Sequence, residues 1–245
     1  MSLGLGLFAS PAKGGAAVSL ARDNLILSSM VTKGKEKPSQ TLLQIIEQTC
    51  KAGGCKISDI DVISSDIGPG SFTGIRVGLA SMFGLSKGLN IKSSGISSLT
   101  LMAGAFFLSI SNIDLKQPIS EEEFTDTFIL PLVPAGRDEF FGSVLKSTEN
   151  LLPEEVTKPG LLSIDEVFRL CSDYSALVVV TDSAFLPELL CRSVKCITVK
   201  LTSCAEVAAL VAVKEIDDKF NKMNTTSPLY IRRSWAEEVK DSNEK

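Results

Sequence analysis

The sequence predicts an α/β protein built from two similar halves. The first half opens on short strands at residues 3–8, 16–21 and 25–30, and the second half opens on strands at 128–133 and 140–146. In both halves the strands give way to segments whose apolar residues recur at helical spacing. Because strands and helices alternate in each half, we expect mixed sheets flanked by helices rather than an all-α or all-β fold.

Two prominent helices are predicted in the first half. Ser39 can cap a helix that runs to residue 52, because apolar residues recur three and four positions apart along it. A strand-like run at 60–65 then leads through a glycine-rich turn into a second helix at 73–89. The predicted order around this turn is therefore strand, glycine-rich turn, helix.

The remaining elements divide the chain into two expected lobes. A helix is expected at 97–110, and capping-box sequences that start at Ser163 and Ser203 predict two more helices. We expect an N-terminal lobe of residues 1–105 and a C-terminal lobe of residues 106–245. The charges at 237–245 predict a frayed tail at the end of the second lobe.

The composition excludes several classes of function. The 245 residues carry a net charge of −4 and no histidine. Non-specific binding to nucleic-acid phosphates needs clustered cations, which the negative net charge disfavours. Because histidine is absent, hydrolytic sites that depend on histidine cannot form. No metal site and no cofactor are predicted.

Three further features of the sequence predict where in the cell the protein is located. The N-terminus lacks the charged and apolar regions of a signal peptide and has the alternation of a strand. The apolar stretch at 99–110 is shorter than the roughly 20 residues that span a membrane. The six cysteines form no C-x-x-C pair and are expected to be reduced core thiols. A cytoplasmic protein without membrane contact is the expectation.

A glycine-rich segment carries the most information. The motif loop consists of Gly68, Pro69, Gly70, Ser71, Phe72, Thr73 and Gly74. Its glycine spacing differs from the dinucleotide fingerprint, and it lacks the Gly-Lys-Ser/Thr of a P-loop. Backbone N–H groups at a glycine-rich helix start can still cradle an anion, with Ser71, Thr73 and Arg76 placed to help. Anion binding is therefore an open alternative for this loop.

The helix after the motif loop has an unusual number of glycines. Each glycine inside a helix costs about 1 kcal/mol relative to alanine. We therefore expect close packing at these glycines to offset that cost. Ala80, Gly84 and Gly88 recur every four residues and form a stripe that another backbone can approach, beside an apolar stripe. Two packing faces suit an interface, while the alternative is that both faces pack inside one domain.

The stretch Gly68-Pro-Gly-Ser-Phe-Thr-Gly-Ile-Arg-Val-Gly78, followed by Gly95-Ile-Ser-Ser-Leu99, resembles the signature of the TsaB (YeaZ) family. Weaker likeness covers 39–43, 135–141 and 228–232. The resemblance implies a two-lobed actin-like fold, shared by sugar kinases, Hsp70 and actin.

The same resemblance implies a function. Members of the family are non-catalytic accessory proteins that bind and activate a TsaD-like catalytic subunit. That subunit forms threonylcarbamoyladenosine (t6A) at position 37 of tRNAs reading codons that begin with A. The implied partners are the TsaD-like subunit, a TsaE-like ATPase in a larger complex, a second copy when alone, and tRNA only through the complex.

The resemblance also points to the contact residues. Family members pair through the two helices that correspond here to 39–52 and 73–89. The expected contacts to a partner are Leu42, Leu43, Ile46, Ile75, Arg76, Leu79, Met82 and Phe83. No catalytic residue is assigned.

Four positions depart from the family pattern. Ser10 and Pro134 stand where relatives have acidic residues, Pro38 stands in place of a histidine, and Ile67 in place of an arginine. Magnesium sites need carboxylates, so ATP chemistry is disfavoured. The alternatives are an ATP-dependent enzyme of the same fold, a homodimeric scaffold outside tRNA modification, and a peptidase, which the lack of histidine disfavours.

Overall fold

Two mixed β-sheets dominate the computed structural model, and helices pack against both. The structure describes residues 2–11, 14–32, 37–110, 127–136, 138–148, 151–174, 177–181, 196–214 and 227–231. The predicted charged tail at 237–245 lies outside these residues.

The first sheet has five strands. Their bounds are Leu3–Phe8 (β1), Ala17–Arg22 (β2), Leu25–Val31 (β3), Val62–Asp66 (β4) and Lys92–Ile96 (β5). The spatial order is β3–β2–β1–β4–β5, in which β1, β2 and β3 are antiparallel neighbours. Strands β4 and β5 continue the sheet parallel to β1. The three opening strands predicted from the sequence are confirmed.

The second sheet repeats this arrangement. Its strands are Phe128–Gly136 (β6), Glu139–Gly142 (β7), Leu145–Lys146 (β8), Glu154–Glu155 (β9), Gly160–Ser163 (β10), Leu177–Thr181 (β11) and Cys196–Thr198 (β12). The main path runs β10–β7–β6–β11–β12, with β6, β7 and β10 antiparallel and with β11 and β12 parallel to β6. Strands β8 and β9 form a side ladder. The same strand order and directions therefore occur twice, which confirms the two similar halves.

Five α-helices lie within the described residues. Their bounds are Pro38–Ala52 (α1), Phe72–Leu89 (α2), Ser98–Ile110 (α3), Ile164–Asp173 (α4) and Leu201–Lys214 (α5). The predicted end of the first lobe, residue 105, falls inside α3. Helix α3 corresponds to the apolar stretch that was too short for a membrane span, and its described side chains are largely buried.

Strand β1 shows how its sequence positions helices on both faces of the first sheet. Leu3, Leu5 and Leu7 point toward the core under α1 and α2. Gly4 and Gly6 point the other way, where α5 packs against the strand. A Cβ on Gly6 would lie only 2.2 Å from backbone atoms of α5, so only glycine permits this approach. The alternation thus brings a helix that follows the second sheet back onto the first.

Two predicted helix starts are wrong. Helix α1 begins at Pro38 with Lys37 before it, because the fixed φ and missing N–H of proline suit the first turn, so Ser39 is no cap. Helix α5 begins at Leu201, which places Ser203 inside the helix instead of at its start. The capping box at Ser163 is confirmed, because its hydroxyl accepts from the Glu166 N–H at 3.3 Å.

Candidate functional site: the motif loop and the docking face

The motif loop joins β4 to α2 at the edge where the parallel strands of the first sheet end. Ser71 precedes the helix, and its Oγ accepts a hydrogen bond from the Gly74 N–H at 3.3 Å. The Ser71 N–H donates to the carbonyl of Ser10 at 3.0 Å, and the Ser98 N–H donates to the carbonyl of Gly68 at 2.8 Å. The loop is thereby bound to the segments that follow β1 and β5.

Two of the helix glycines are explained by packing against β1 and its end. A Cβ on Gly74 would lie 2.0 Å from the carbonyl oxygen of Ala9. A Cβ on Gly78 would lie 2.9 Å from Ser65 Oγ and 3.0 Å from the Ala9 side chain. The first turns of α2 therefore approach β1 closer than any side chain would allow, which offsets the intrinsic cost of glycine in a helix.

Asp66 is the buried centre of this edge. Its carboxylate accepts from the N–H groups of Ala9 and Ser10 at 2.8 and 3.0 Å, and from the hydroxyls of Ser10 and Ser98. Burial raises the pKa of Asp66, and the hydrogen bonds offset part of that rise. Both oxygens are occupied by the chain's own donors, so the carboxylate holds the loop after β1 in place.

Two of the four departures from the family pattern, Ser10 and Pro134, lie in the hairpins that open the two sheets. Ser10 is 1% exposed, and its hydroxyl contacts Asp66 and Ser98 rather than solvent. Pro134 lies in β6, paired with Phe140 across the hairpin. Neither position supplies a carboxylate, and the Ser10 hydroxyl is not accessible to a substrate in this structure.

The structure divides the eight expected contact residues into two groups. Five of them lie in the core of the first lobe, namely Leu42, Ile46, Ile75, Leu79 and Met82. Their side chains are not available to a partner, which corrects the expectation, because the apolar stripe of α2 faces the chain's own sheet. The other three, Leu43, Arg76 and Phe83, are exposed or partly exposed.

The small-residue stripe faces outward instead of inward. Ala80, Gly84 and Gly88 are all exposed, and a Cβ on Gly84 or Gly88 would meet nothing within 4 Å. Leu43 is 63% exposed on α1, which packs beside α2. We name the exposed residues Leu43 on α1 and Ala80, Gly84 and Gly88 on α2 the docking face. Its glycines have no packing partner within the described residues of this chain.

The described cysteine side chains differ in burial. Cys50 and Cys204 are buried, while Cys55 and Cys171 are partly buried. Burial raises the pKa of the Cys50 thiol to about 11, so this thiol is protonated at neutral pH. Core burial was expected for all six cysteines and holds fully for these two.

Both halves carry the same strand order, and the docking face lies on one of them; this architecture defines a two-lobed α/β protein with mixed sheets. Two solved structures cover nearly the whole chain. A Pseudomonas aeruginosa protein described as similar to the peptidase YeaZ has a TM-score of 0.73 at 17% identity, over 95% of this chain and 100% of that one. YeaZ from Pseudomonas aeruginosa has a TM-score of 0.69 at 16% identity, over 94% and 100%.

Sequence comparison finds partial similarity to proteins of tRNA modification. The family model for TsaD, tRNA N6-adenosine threonylcarbamoyltransferase, matches residues 26–121. The TsaB proteins of Escherichia coli and Haemophilus influenzae are 34% identical over 65 residues and 26% identical over 148 residues. These alignments cover 26% and 59% of this chain, and they span only 28% and 62% of those relatives. The chain is thus similar to proteins named TsaB over part of its length and of theirs.

None of the helices within the described residues combines the length and the apolar character that crossing a membrane requires.

Proposed function

We propose that this chain is a non-catalytic accessory subunit that binds and activates a TsaD-like catalytic subunit. The catalytic subunit forms t6A at position 37 of tRNAs reading codons that begin with A. The relatives named TsaB, a tRNA threonylcarbamoyladenosine biosynthesis protein, support this pathway. The docking face is the observation that carries the proposal.

The docking face has the features of a helix interface. Leu43 is exposed on the helix beside α2, and α2 itself exposes the small residues Ala80, Gly84 and Gly88. At Gly84 and Gly88 there is open space where a Cβ would be. Each of these glycines costs about 1 kcal/mol in an isolated helix, and contacts inside the described chain do not offset it. A partner helix that packs its backbone against Gly84 and Gly88 would supply the compensating contacts.

The proposal of a non-catalytic role rests on the edge around Asp66. Ser10 and Pro134 supply no carboxylate for a magnesium ion, and the Asp66 oxygens are taken by backbone and hydroxyl donors. Asp23, Asp66 and Asp138 are the carboxylates that could substitute for the missing acids. Steady turnover of ATP by the pure chain, abolished by altering one of them, would instead support an ATP-dependent enzyme of the same fold.

The proposed assembly follows from the same surface. Alone, two copies would pair through the docking face, and the TsaD-like subunit would replace one copy. A TsaE-like ATPase would join the larger complex, and tRNA would be held by the complex, since the net charge of −4 disfavours a broad phosphate contact. Function in the cytoplasm is part of this proposal.

Co-purification tests the proposal. The tagged chain would be co-expressed with the TsaD-like subunit of the same genome, and t6A would be measured by mass spectrometry after reconstitution with the TsaE-like ATPase. We expect a stable complex and t6A formation that depends on this chain. Gly84→Leu should abolish both, whereas Ser172→Leu, which places a leucine at an exposed position of α4, should abolish neither. A wild-type chain that neither co-purifies nor supports t6A would overturn the proposal.

A further inference from the structure

We propose that Arg76 is a pre-oriented cation at one end of the docking face and that it binds a carboxylate on a helix of the catalytic partner. The inference rests on the proposed function, because it requires that a partner helix occupies the docking face. It adds the chemistry by which that helix is recognised and aligned.

The guanidinium of Arg76 is held by two aromatic side chains. Its carbon atom lies 3.9 Å from the centre of the Phe72 ring, and its Nε donates to the Tyr230 hydroxyl at 3.4 Å. The two rings contact each other with centres 4.8 Å apart. An arginine held in this way loses less conformational freedom when it binds a planar anion.

The outer nitrogens of Arg76 donate no hydrogen bond to the described residues. The side chain is exposed, and its contacts among the described residues are those with Phe72 and Tyr230. Its Nε is used in the hydrogen bond to Tyr230, which leaves the two terminal amino groups of the fork. Two parallel N–H groups match the two oxygens of a carboxylate.

Tyr230 reaches Arg76 because residues 227–231 cross the motif loop. The Leu229 N–H donates to the carbonyl of Ile67 at 2.8 Å, and the Leu229 side chain packs against the core of the first lobe. The carbonyl of Leu229 lies close enough to Gly68 that a Cβ there would be 3.0 Å away. The C-terminal segment therefore holds Tyr230 beside the first turns of α2.

The position of Arg76 relates it to the docking face. Arg76 is four residues before Ala80, so it heads the row of exposed residues that continues through Gly84 and Gly88. A helix lying along the small residues passes Arg76 at one end of the row. An Asp or Glu at that end of the partner helix would meet the guanidinium and fix the register of the two helices.

The surroundings favour a protein carboxylate over nucleic acid. Binding to a phosphate backbone draws on several clustered cations. On the described part of α2, the other cationic residue is Lys87, three turns away at the far end of the helix. A single held guanidinium beside an apolar docking face fits one acidic side chain of a protein.

Binding measurements on the full chain test the inference. The dissociation constant for the TsaD-like subunit would be measured by calorimetry at low and high salt for Arg76→Gln, Tyr230→Phe and Lys87→Gln. We expect Arg76→Gln to weaken binding about tenfold at low salt and much less at high salt. Tyr230→Phe should weaken binding about twofold to threefold, since it loses the hydroxyl contact but keeps the ring. Lys87→Gln, which removes an equal charge from the same helix, should change binding less than about twofold.

The outcomes separate this inference from the proposed function. If the wild-type chain binds and Arg76→Gln binds equally well, the carboxylate contact is wrong and the accessory role stands. If Lys87→Gln weakens binding as much as Arg76→Gln, the effect is one of net charge and the inference fails. Weaker tRNA binding by the assembled complex with unchanged affinity for the partner would assign Arg76 to RNA. No binding by the wild-type chain would overturn both proposals.

Discussion

The backbone N–H of Ala9 donates a 2.8 Å hydrogen bond to Oδ1 of Asp66, which joins the end of β1 to the end of β4. The other carboxylate oxygen accepts from the next N–H, that of Ser10, at 3.0 Å. On its opposite side the carbonyl of Ala9 meets Gly74 in the first turn of α2. The orientation of α2, and with it the docking face, thus depends on contacts inside the chain.

We expect Asp66→Asn to lower the free energy of unfolding by about 2 kcal/mol or more, measured by urea denaturation. An amide can accept through one atom only, so a buried N–H of Ala9 or Ser10 would face an NH₂ group. Asp61→Asn is the matched control, because exposed Asp61 also accepts from β1, at the Leu3 N–H, at 2.8 Å. Equal losses in both variants would show that burial of Asp66 is unimportant.

Two glycines of α2 should respond to alanine in opposite directions. Gly74→Ala places a Cβ 2.0 Å from a backbone oxygen, which cannot move as a flexible side chain can, so we expect a loss above about 2 kcal/mol. Gly84→Ala adds a Cβ in open space and should raise stability by up to about 1 kcal/mol. Thermal and urea unfolding check both values. A Gly74→Ala protein as stable as the wild type would refute the close approach.

Glu206 should make stability depend on pH. Its Oε1 accepts from Ser29 Oγ at 2.7 Å, while Oε2 is buried with no partner among the described residues. Burial raises the pKa of Glu206, with Ser29, Ser203 and Lys200 offsetting part of the rise. A raised pKa favours the protonated folded state. The stabilisation is therefore complete below the ordinary glutamate pKa of about 4.3 and is lost as pH rises through the folded value.

The corresponding test compares Glu206→Gln with the wild type across pH. We expect the variant to be equally stable near pH 4 and more stable by about 1 kcal/mol at pH 8, because the neutral amide avoids a buried charge. Urea denaturation at several pH values measures this difference. A wild type that gains stability relative to Glu206→Gln as pH rises would reverse the sign and contradict the account.

Local patterns in the sequence predicted much of the fold. The alternation in β1 predicts a strand, and the spacing of Ser163 and Glu166 predicts a helix start, which their reciprocal hydrogen bonds confirm. A pattern alone does not show which partner a residue meets. Ser203 and Glu206 have the same spacing, yet Glu206 is held under β3 by Ser29, inside a helix that begins earlier.

The docking face was only partly predictable for a related reason. Helix α2 has two stripes, and helical spacing identifies both without showing which one meets the sheet. The contact of Gly74 and Gly78 with the end of β1 decides this, since it turns Leu79 inward and Gly84 outward. The role of Tyr230 depends on a segment more than a hundred residues further along the chain, which no local pattern indicates.

Leu79→Asp, in consequence, should unfold the protein. Leu79 is 5% exposed in the core of the first lobe, and an unpaired carboxylate there should cost more than about 3 kcal/mol. Circular dichroism and thermal melting measure the loss. A folded Leu79→Asp protein with an unchanged melting temperature would mean that this side chain belongs to an interface after all.

The affinity of Leu43→Asp for the TsaD-like subunit is the most direct test of the docking face. Leu43 is 63% exposed, so the substitution should leave the melting temperature of the isolated chain unchanged. A charge placed in an apolar helix interface should weaken binding by about a hundredfold or more. We predict a folded protein that no longer forms the complex and no longer supports t6A. A folded Leu43→Asp chain that binds the partner with wild-type affinity would contradict the central claim.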